Sequence, residues 1–542
     1  LLGLAGHHAE NLRREGTGMR IKPWMRYAST ICLYLFLSGM IVIGISEKRN
    51  LHTDEVLTYI LANNSYDEEI TLAPEMGKTY EPAGQVWQNV MTVQPENRFN
   101  YRNVWEKQAA DVHPPLYYAL IHTICSFFPG IYSKWFGAVV NLVFGLLTLF
   151  VMRKLTRELT GQEWIVFLCS GFFCISSGVL SSMTFLRMYI MTMFWCTLFT
   201  WLFVKNKDQS DWKFYLKIIA VAVTGALTHY YFVVYLFSTC LVWGIYLLWN
   251  HRWKDLGVSV GSMIVAGILT IAIFPASLKQ SIGGGYRGVD TLDNLTDMSV
   301  EGIWYRLKSC YGLLNQHLFG GCFCMLFVLT LIGIGIWGIT GKKAKGSLTL
   351  ERNKLERWVI AVVPCILYFF IISKIAVYIT DRYFHPVYAL LMIFGVALPL
   401  SLLQHVKGHK LLIPLFCIIL LGGILVHWKD NWNYLYRSTG SFLQTAEQYS
   451  DRDALCVFEY AYEIPTIFCE AQHYKSITFV STRDLDKLDD MDLPVDNGMI
   501  LILGHGCEEE TVYSAINTKW SQLTNSEEVG SYASTTTFYL EP

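Results

Sequence analysis

Charge is scarce in this sequence. Asp, Glu, Lys and Arg make up 16% of the 542 residues and cancel to a net charge of -1, so there is no broad basic field to neutralise the phosphates of a nucleic acid. Nucleic acid is excluded as a partner on that ground. Paired-cysteine spacing is missing as well: none of the 14 cysteines forms a CxxC, and Cys32, Cys169, Cys174, Cys196, Cys240, Cys365 and Cys417 fall inside apolar stretches, where a thiol serves as a small hydrophobe. Cys456, Cys469 and Cys507 lie in a polar tail, and their odd number leaves at least one unpaired within the chain. No HExxH motif, fixed-period repeat or low-complexity tract is present.

What replaces charge is apolar residue. The chain is 53% hydrophobic with a mean hydropathy of +0.32, beyond what an ordinary soluble globule carries. A bilayer core needs roughly 20 apolar residues per helix. Candidate spans fall at 27–45, 132–152, 162–182, 187–204, 212–229, 230–250, 256–277, 316–340, 356–374, 383–403 and 410–428, about eleven by that length rule. The run 27–45 is too long for a signal-peptide core and is read as a retained first span, and residues 1–18 as an upstream extension outside the fold.

The segment "PPLYYALIHTICSFF" at 114–128 is short and opens on two prolines. If it lies along the interface without crossing, every basic connection lands on one side, the cytoplasm by the positive-inside rule. These are Arg20, Lys22 and Arg26; Arg153, Lys154 and Arg157; Lys205, Lys207 and Lys213; Arg252 and Lys254; the cluster from Lys342 to Arg357; and Lys407 and Lys410. The expectation is an α-helical polytopic protein of the cell membrane with a cytoplasmic N-terminus, and the compact loops suggest a bacterial source. Its membrane domain covers 19–428, with exterior loops at 47–131 and 278–315. The tail from 429 to 542 lies outside. There "ALCVFEY", "SITFVST" and "MILILG" predict short strands at 454–460, 476–482 and 499–504, separated by helices in a small α/β domain.

The exterior segments carry the unusual residues. "HTDEVLTYI" places Asp54 and Glu55 just after the first span, either as a general base with its companion or as the acidic first turn of a helix capped by Thr53 or Asp54. "DVHPPLYY" displays Asp111 and His113. With His52, these groups could also furnish a divalent-cation site by ligand type, although no metal-binding spacing supports one. "FLRMY" places Arg187 and Tyr189 at the outer end of a span, "HYYF" does so for His229, Tyr230 and Tyr231, and "SKIAVYITDRYFHP" for Lys374, Asp381, Arg382, Tyr383 and His385. Cations at exterior helix ends run against the usual trend and suit an anionic headgroup, or else snorkel to ordinary lipid phosphates. "GGGYRG" at 283–288 lacks the strand and helix of a phosphate-binding loop. Sequons begin at Asn63 and Asn294, both on the outer side.

The order and common sidedness of the acidic pair, "HPPLYY", "RMY", "HYYF" and "DRYF" resemble the GT-C class of integral-membrane glycosyltransferases. The group is that of protein O-mannosyltransferases and lipid A aminoarabinose transferases, glycosyltransferase family 39-like, over residues 20 to 430. The resemblance implies transfer of a sugar from a polyprenyl-phosphate carrier to an extracytoplasmic glycan, lipid or protein acceptor, with inversion. It implies Asp54 as catalytic base with Glu55 as companion and His113 before "PPL". Arg187, Lys374, Arg382 and Tyr383 would bind the donor phosphate, and Asp111, Tyr189, His229 and Tyr230 would line the substrate site. "FLRMY" stands where that family has "EARMY". The competing expectation from the residues is a polytopic transporter or lipid-linked-sugar flippase, since charges within membranes also mark substrate paths.

Overall fold

The computed structural model describes residues 23–64, 74–281, 293–340, 348–406, 408–523, 525–532 and 534–542. The extension at 1–18, the "GGGYRG" segment and Lys342, Lys343, Lys345 and Lys407 lie outside the described residues.

All eleven expected spans coincide with helices, but length separates them. Among the described residues, seven helices are long and apolar enough to cross a membrane, or up to nine if each of two bent pairs counts as one span. The pairs are Glu163–Ile175 with Ser177–Thr184, bent by 57°, and Val300–Phe319 with Phe323–Gly335, bent by 81°. Tyr189–Lys205 and Trp212–Ala226, with 17 and 15 residues, are apolar but fall short of the expected crossing length. The 12-residue helix Leu116–Phe127 reaches about 18 Å at 1.5 Å per residue, too little to span the hydrocarbon.

Ion pairs gather the basic connections at one end of the bundle. Arg26 and Arg157 both meet Glu163, at 3.3 and 2.6 Å. Lys207 meets Glu356 at 2.7 Å, and Arg357 meets Glu158 at 3.6 Å and Asp208 at 3.5 Å. The motifs of the loops expected outside collect at the other end.

There the chain breaks its helices, and a broken helix inside a membrane protein must have its freed backbone groups satisfied. Asn141, fully buried in Lys134–Thr160, donates to the Met183 and Phe185 carbonyls at 3.1 and 2.6 Å and accepts from the Tyr117 hydroxyl at 3.0 Å. This one amide stabilises the non-helical turn at 185–188 between Ser177–Thr184 and Tyr189–Lys205, the turn that presents Arg187.

The tail forms β2 (Asp453–Phe458), β3 (Ser476–Ser481) and β4 (Met499–Gly504) as expected, in a parallel core ordered β3-β2-β4. The sheet is nevertheless mixed. The hairpin of β5 (Asn525–Tyr532) and β6 (Thr535–Glu541) adds antiparallel to β4. On the far edge, β1 (Thr79–Tyr80), from the first exterior loop, pairs antiparallel with β3 in the register Thr79 to Thr478. Alternation sets the two faces. Leu455, Val457, Leu501 and Leu503 pack in a tail-only core with Val512 and Ile516, whereas Cys456, Phe458, Ile500 and Ile502 belong to the core continuous with the membrane helices.

The sequon at Asn63 is no glycan site: its buried amide donates to the Met91 carbonyl at 2.7 Å. Asn294 is partly exposed and donates to the Ala376 carbonyl at 3.0 Å. All 14 cysteines are free.

Replacing Asn141 with Leu strands the Met183 carbonyl and the Tyr117 hydroxyl in the interior and leaves the Phe185 carbonyl with the Arg187 N–H alone. The expected cost is about 1–3 kcal/mol, read as a lowered thermal unfolding midpoint of the detergent-solubilised protein. An unchanged midpoint would show that the turn at 185–188 does not depend on this amide.

Candidate active site

Helix Thr53–Asn63 opens on a capping box whose N-cap is His52, not the expected Thr53 or Asp54. The His52 ring accepts from the Asp54 N–H at 3.0 Å, and the Glu55 carboxylate accepts from the His52 N–H at 2.7 Å. Two adjacent acids on a helix point in different directions, and here they separate completely. Glu55 turns inward. It is fully buried, receives the Lys48 ammonium at 3.0 Å and accepts the Leu186 N–H at 2.7 Å. Burial pushes the Glu55 carboxyl up and the Lys48 ammonium down, and each resists the shift of the other. Glu55 thus sits behind the site, tied to Lys48 and to the Leu186 N–H.

Asp54 turns the other way and keeps 27% of its side chain exposed. Its carboxylate accepts from Arg382 at 2.5 Å, and its backbone carbonyl accepts from Arg187 at 3.2 Å. Burial alone would raise its pKa, but the guanidiniums of Arg187 and Arg382 outweigh it and hold the carboxyl well below the usual carboxylate range. His52 is pulled down to about 4, chiefly by burial and further by the two arginines, against the attraction of Asp54.

Arg187 is the most constrained group. It donates from one terminal nitrogen to the Thr58 and Tyr118 hydroxyls, both at 2.9 Å, and its other terminal nitrogen lies 3.3 Å from His113 Nε2. His113 Nδ1 meets Asp111 at 2.9 Å. The tautomer that satisfies both contacts donates from Nδ1 to Asp111 and accepts from Arg187 at Nε2. Asp111, His113 and Arg187 therefore form a chain that fixes the guanidinium, with both His113 nitrogens engaged.

The remaining expected residues ring this centre, with one exception. Tyr189 lies 5.3 Å from His229 and 5.8 Å from His385, ring to ring, and His229 lies 6.1 Å from His113. The Arg382 guanidinium sits 5.6 Å from the Tyr383 ring. Tyr230 donates to Gln280 at 2.5 Å, and Gln280 donates to the Asp111 carbonyl at 2.6 Å, which ties the second exterior region to the first. Lys374 is not brought to the centre: it donates to the Asp297 carbonyl and lines a separate groove with Arg306 and Phe370. Among the described residues no group of three or more His, Cys, Asp and Glu side chains could hold a metal ion.

No family model and no curated protein matches the sequence. Among solved structures, the chain is similar to ArnT from Cupriavidus metallidurans bound to undecaprenyl phosphate, at 12% identity and a TM-score of 0.48 over 93% of this chain and 97% of that one. It is also similar to the Archaeoglobus fulgidus oligosaccharyltransferase tethered with an acceptor peptide, at 10% identity and a TM-score of 0.41 over 84% and 64%.

Sequence reasoning missed Thr58, Tyr118, Lys48 and Tyr434 as partners of the site. Thr58 had a signal, the four-residue spacing from Asp54 that puts both on one helix face, and Tyr118 lies within the quoted "HPPLYY". Tyr434, whose carbonyl accepts from Lys48 at 2.5 Å and whose hydroxyl donates to Asp381 at 3.1 Å, lies far off in the chain and had none.

The two acids should respond oppositely to substitution. Glu55→Ala leaves the Lys48 charge buried and alone, an expected loss of about 3–5 kcal/mol in denaturant unfolding of the purified protein. Asp54→Asn should shift that transition little, because its side chain borders the open site. Equal losses would contradict the division of roles.

Proposed function

We propose that the protein is a membrane glycosyltransferase that moves a sugar from a polyprenyl-phosphate carrier to an acceptor on the extracytoplasmic side. The observation that carries this reading is the convergence of one partly exposed carboxylate, Asp54, with the guanidiniums of Arg187 and Arg382 from segments remote in sequence. The motifs that meet there are those through which the chain resembles the GT-C class, and they lie opposite the basic loops expected in the cytoplasm.

The chemistry follows from charge. Breaking the bond between the anomeric carbon and the phosphate oxygen leaves a growing negative charge on the leaving phosphate, and fixed cations in a water-poor site stabilise that charge where it develops. Arg382 and Arg187 supply them, with Tyr383 beneath Arg382. The acceptor hydroxyl attacks the anomeric carbon from the opposite side and gives its proton to the Asp54 carboxylate, so the configuration inverts and polyprenyl phosphate leaves. A carboxylate paired with arginine is a weak base. An arriving donor phosphate competes for Arg382, and as that contact loosens the basicity of Asp54 rises. Base activation is thereby coupled to donor binding. Asp111 and His113 act by orienting Arg187, while Tyr189, His229 and Tyr230 border the sugar.

Two measurements test the assignment. Asp54→Asn should lower the rate of sugar transfer in membranes by about 10²–10⁴-fold; retained transfer would remove Asp54 as the base, and movement of the lipid without any transferred sugar would favour a transporter. The pH profile gives the second. Because the free-enzyme pKa of Asp54 is depressed, its acidic limb in kcat/KM for the donor should lie below the ordinary aspartate value of about 3.9. In Arg382→Gln the limb should move upward toward that value along with the loss of rate, and an unmoved limb would dissociate Arg382 from the base.

A further inference from the structure

The tail contributes a second cluster beside Asp54 that the transfer chemistry does not use. In the parallel core, β3 and β4 flank β2 on opposite sides, and the loop leaving β2 stands at the strand ends, the place where open α/β sheets take their ligands. The β2 loop carries Tyr460 and Tyr462. Their rings stack at 5.6 Å with 12° between planes, yet remain 49% and 56% exposed. Beneath them Glu463 is buried. Its Oε2 accepts from the Glu459 and Tyr460 N–H groups at 3.3 Å each, which shapes the turn that stacks the rings. Its Oε1 has no hydrogen-bond partner among the described residues, a state that a ligand hydroxyl would relieve. Gly504, at the end of β4, packs directly against this carboxylate, where a Cβ would lie 2.4 Å from Oε2. At the margin Glu459 accepts from Thr482 and lies 3.5 Å from Arg483.

The cluster is bolted to the active site. Thr466, one turn beyond Glu463, shares a hydrogen bond of 2.8 Å with Thr53, the residue before Asp54.

Resting on the transferase reading above, we propose that Tyr460 and Tyr462 form an acceptor platform for a neutral oligosaccharide. Aromatic faces carry negative charge and attract the C–H groups of a sugar ring, while Glu459 and Glu463 accept from its hydroxyls. The same carboxylates repel an anionic headgroup, which sets the acceptor apart from the donor lipid. A sugar stacked on this rim presents a hydroxyl toward Asp54.

The test titrates the full-length purified protein with neutral hexasaccharides of mannose, of glucose and of N-acetylglucosamine, with an unglycosylated Ser/Thr-rich peptide as the protein-acceptor control. At least one hexasaccharide should bind. Y460A/Y462A should weaken it roughly tenfold, the scale of two lost ring contacts, and Y460F/Y462F should restore most of it because the faces remain. No hexasaccharide binding, binding that survives Y460A/Y462A, or binding of the peptide alone would each overturn the platform. These titrations require no turnover, so they fail independently of the Asp54→Asn transfer assay: lost transfer in Asp54→Asn with hexasaccharide binding unaffected by Y460A/Y462A would sink the platform and leave the transferase reading standing.

Discussion

The site depends on one buried ion pair. Lys48 and Glu55, both fully enclosed, join three parts of the chain remote from one another in sequence. Glu55 takes the Leu186 N–H and so holds the broken helix that presents Arg187. Lys48 donates to the Tyr434 carbonyl, where the chain enters the tail, and its own carbonyl accepts from Lys134 at the head of the next long helix. Two charges removed from water gain little net stability, but removing either leaves the other uncompensated. The pair therefore fixes an arrangement more than it adds to the depth of the free-energy minimum. Asp54, one residue away, inherits its position from that arrangement.

That inheritance lets Asp54 remain partly open. In the proposed transfer a base must be reachable and a phosphate-binding arginine must be held still, and these demands conflict when the two groups touch. Here Arg187 is immobilised from behind by Thr58, Tyr118 and His113. Arg382 has the Asp54 carboxylate and the Tyr383 face beside it, so it is the more readily redirected cation.

Much of this was legible in the sequence because apolar length and basic loops report directly on helices and their ends. The short motifs named Asp54, Arg187, His113, His229 and Arg382, all of which the fold brings to one end of the bundle. What could not be read was direction. Asp54 and Glu55 are chemically alike and adjacent, and it is the cap at His52, Lys48 and the distant Leu186 N–H that decide which faces the site. Lys374 looked equivalent to Arg382 by position, yet it lies at the end of a helix beside Asp297, outside the ring of contacts. The strands of the tail announced themselves as continuous apolar runs, but β1 is two residues long in a polar loop, and a partner nearly 400 residues away leaves no local trace.

That two-residue strand has a consequence for how the polypeptide can be cut. Thr79 and Tyr80 cover the free edge of β3, and the neighbouring Trp87 closes on Phe468 and Phe479 at 5.9 Å each. An excised C-terminal fragment would expose a row of unpaired backbone groups flanked by apolar rings, the template for sticking edge to edge. The tail is thus no portable cassette: grafting it onto another membrane protein would require carrying a piece of the first loop along with it.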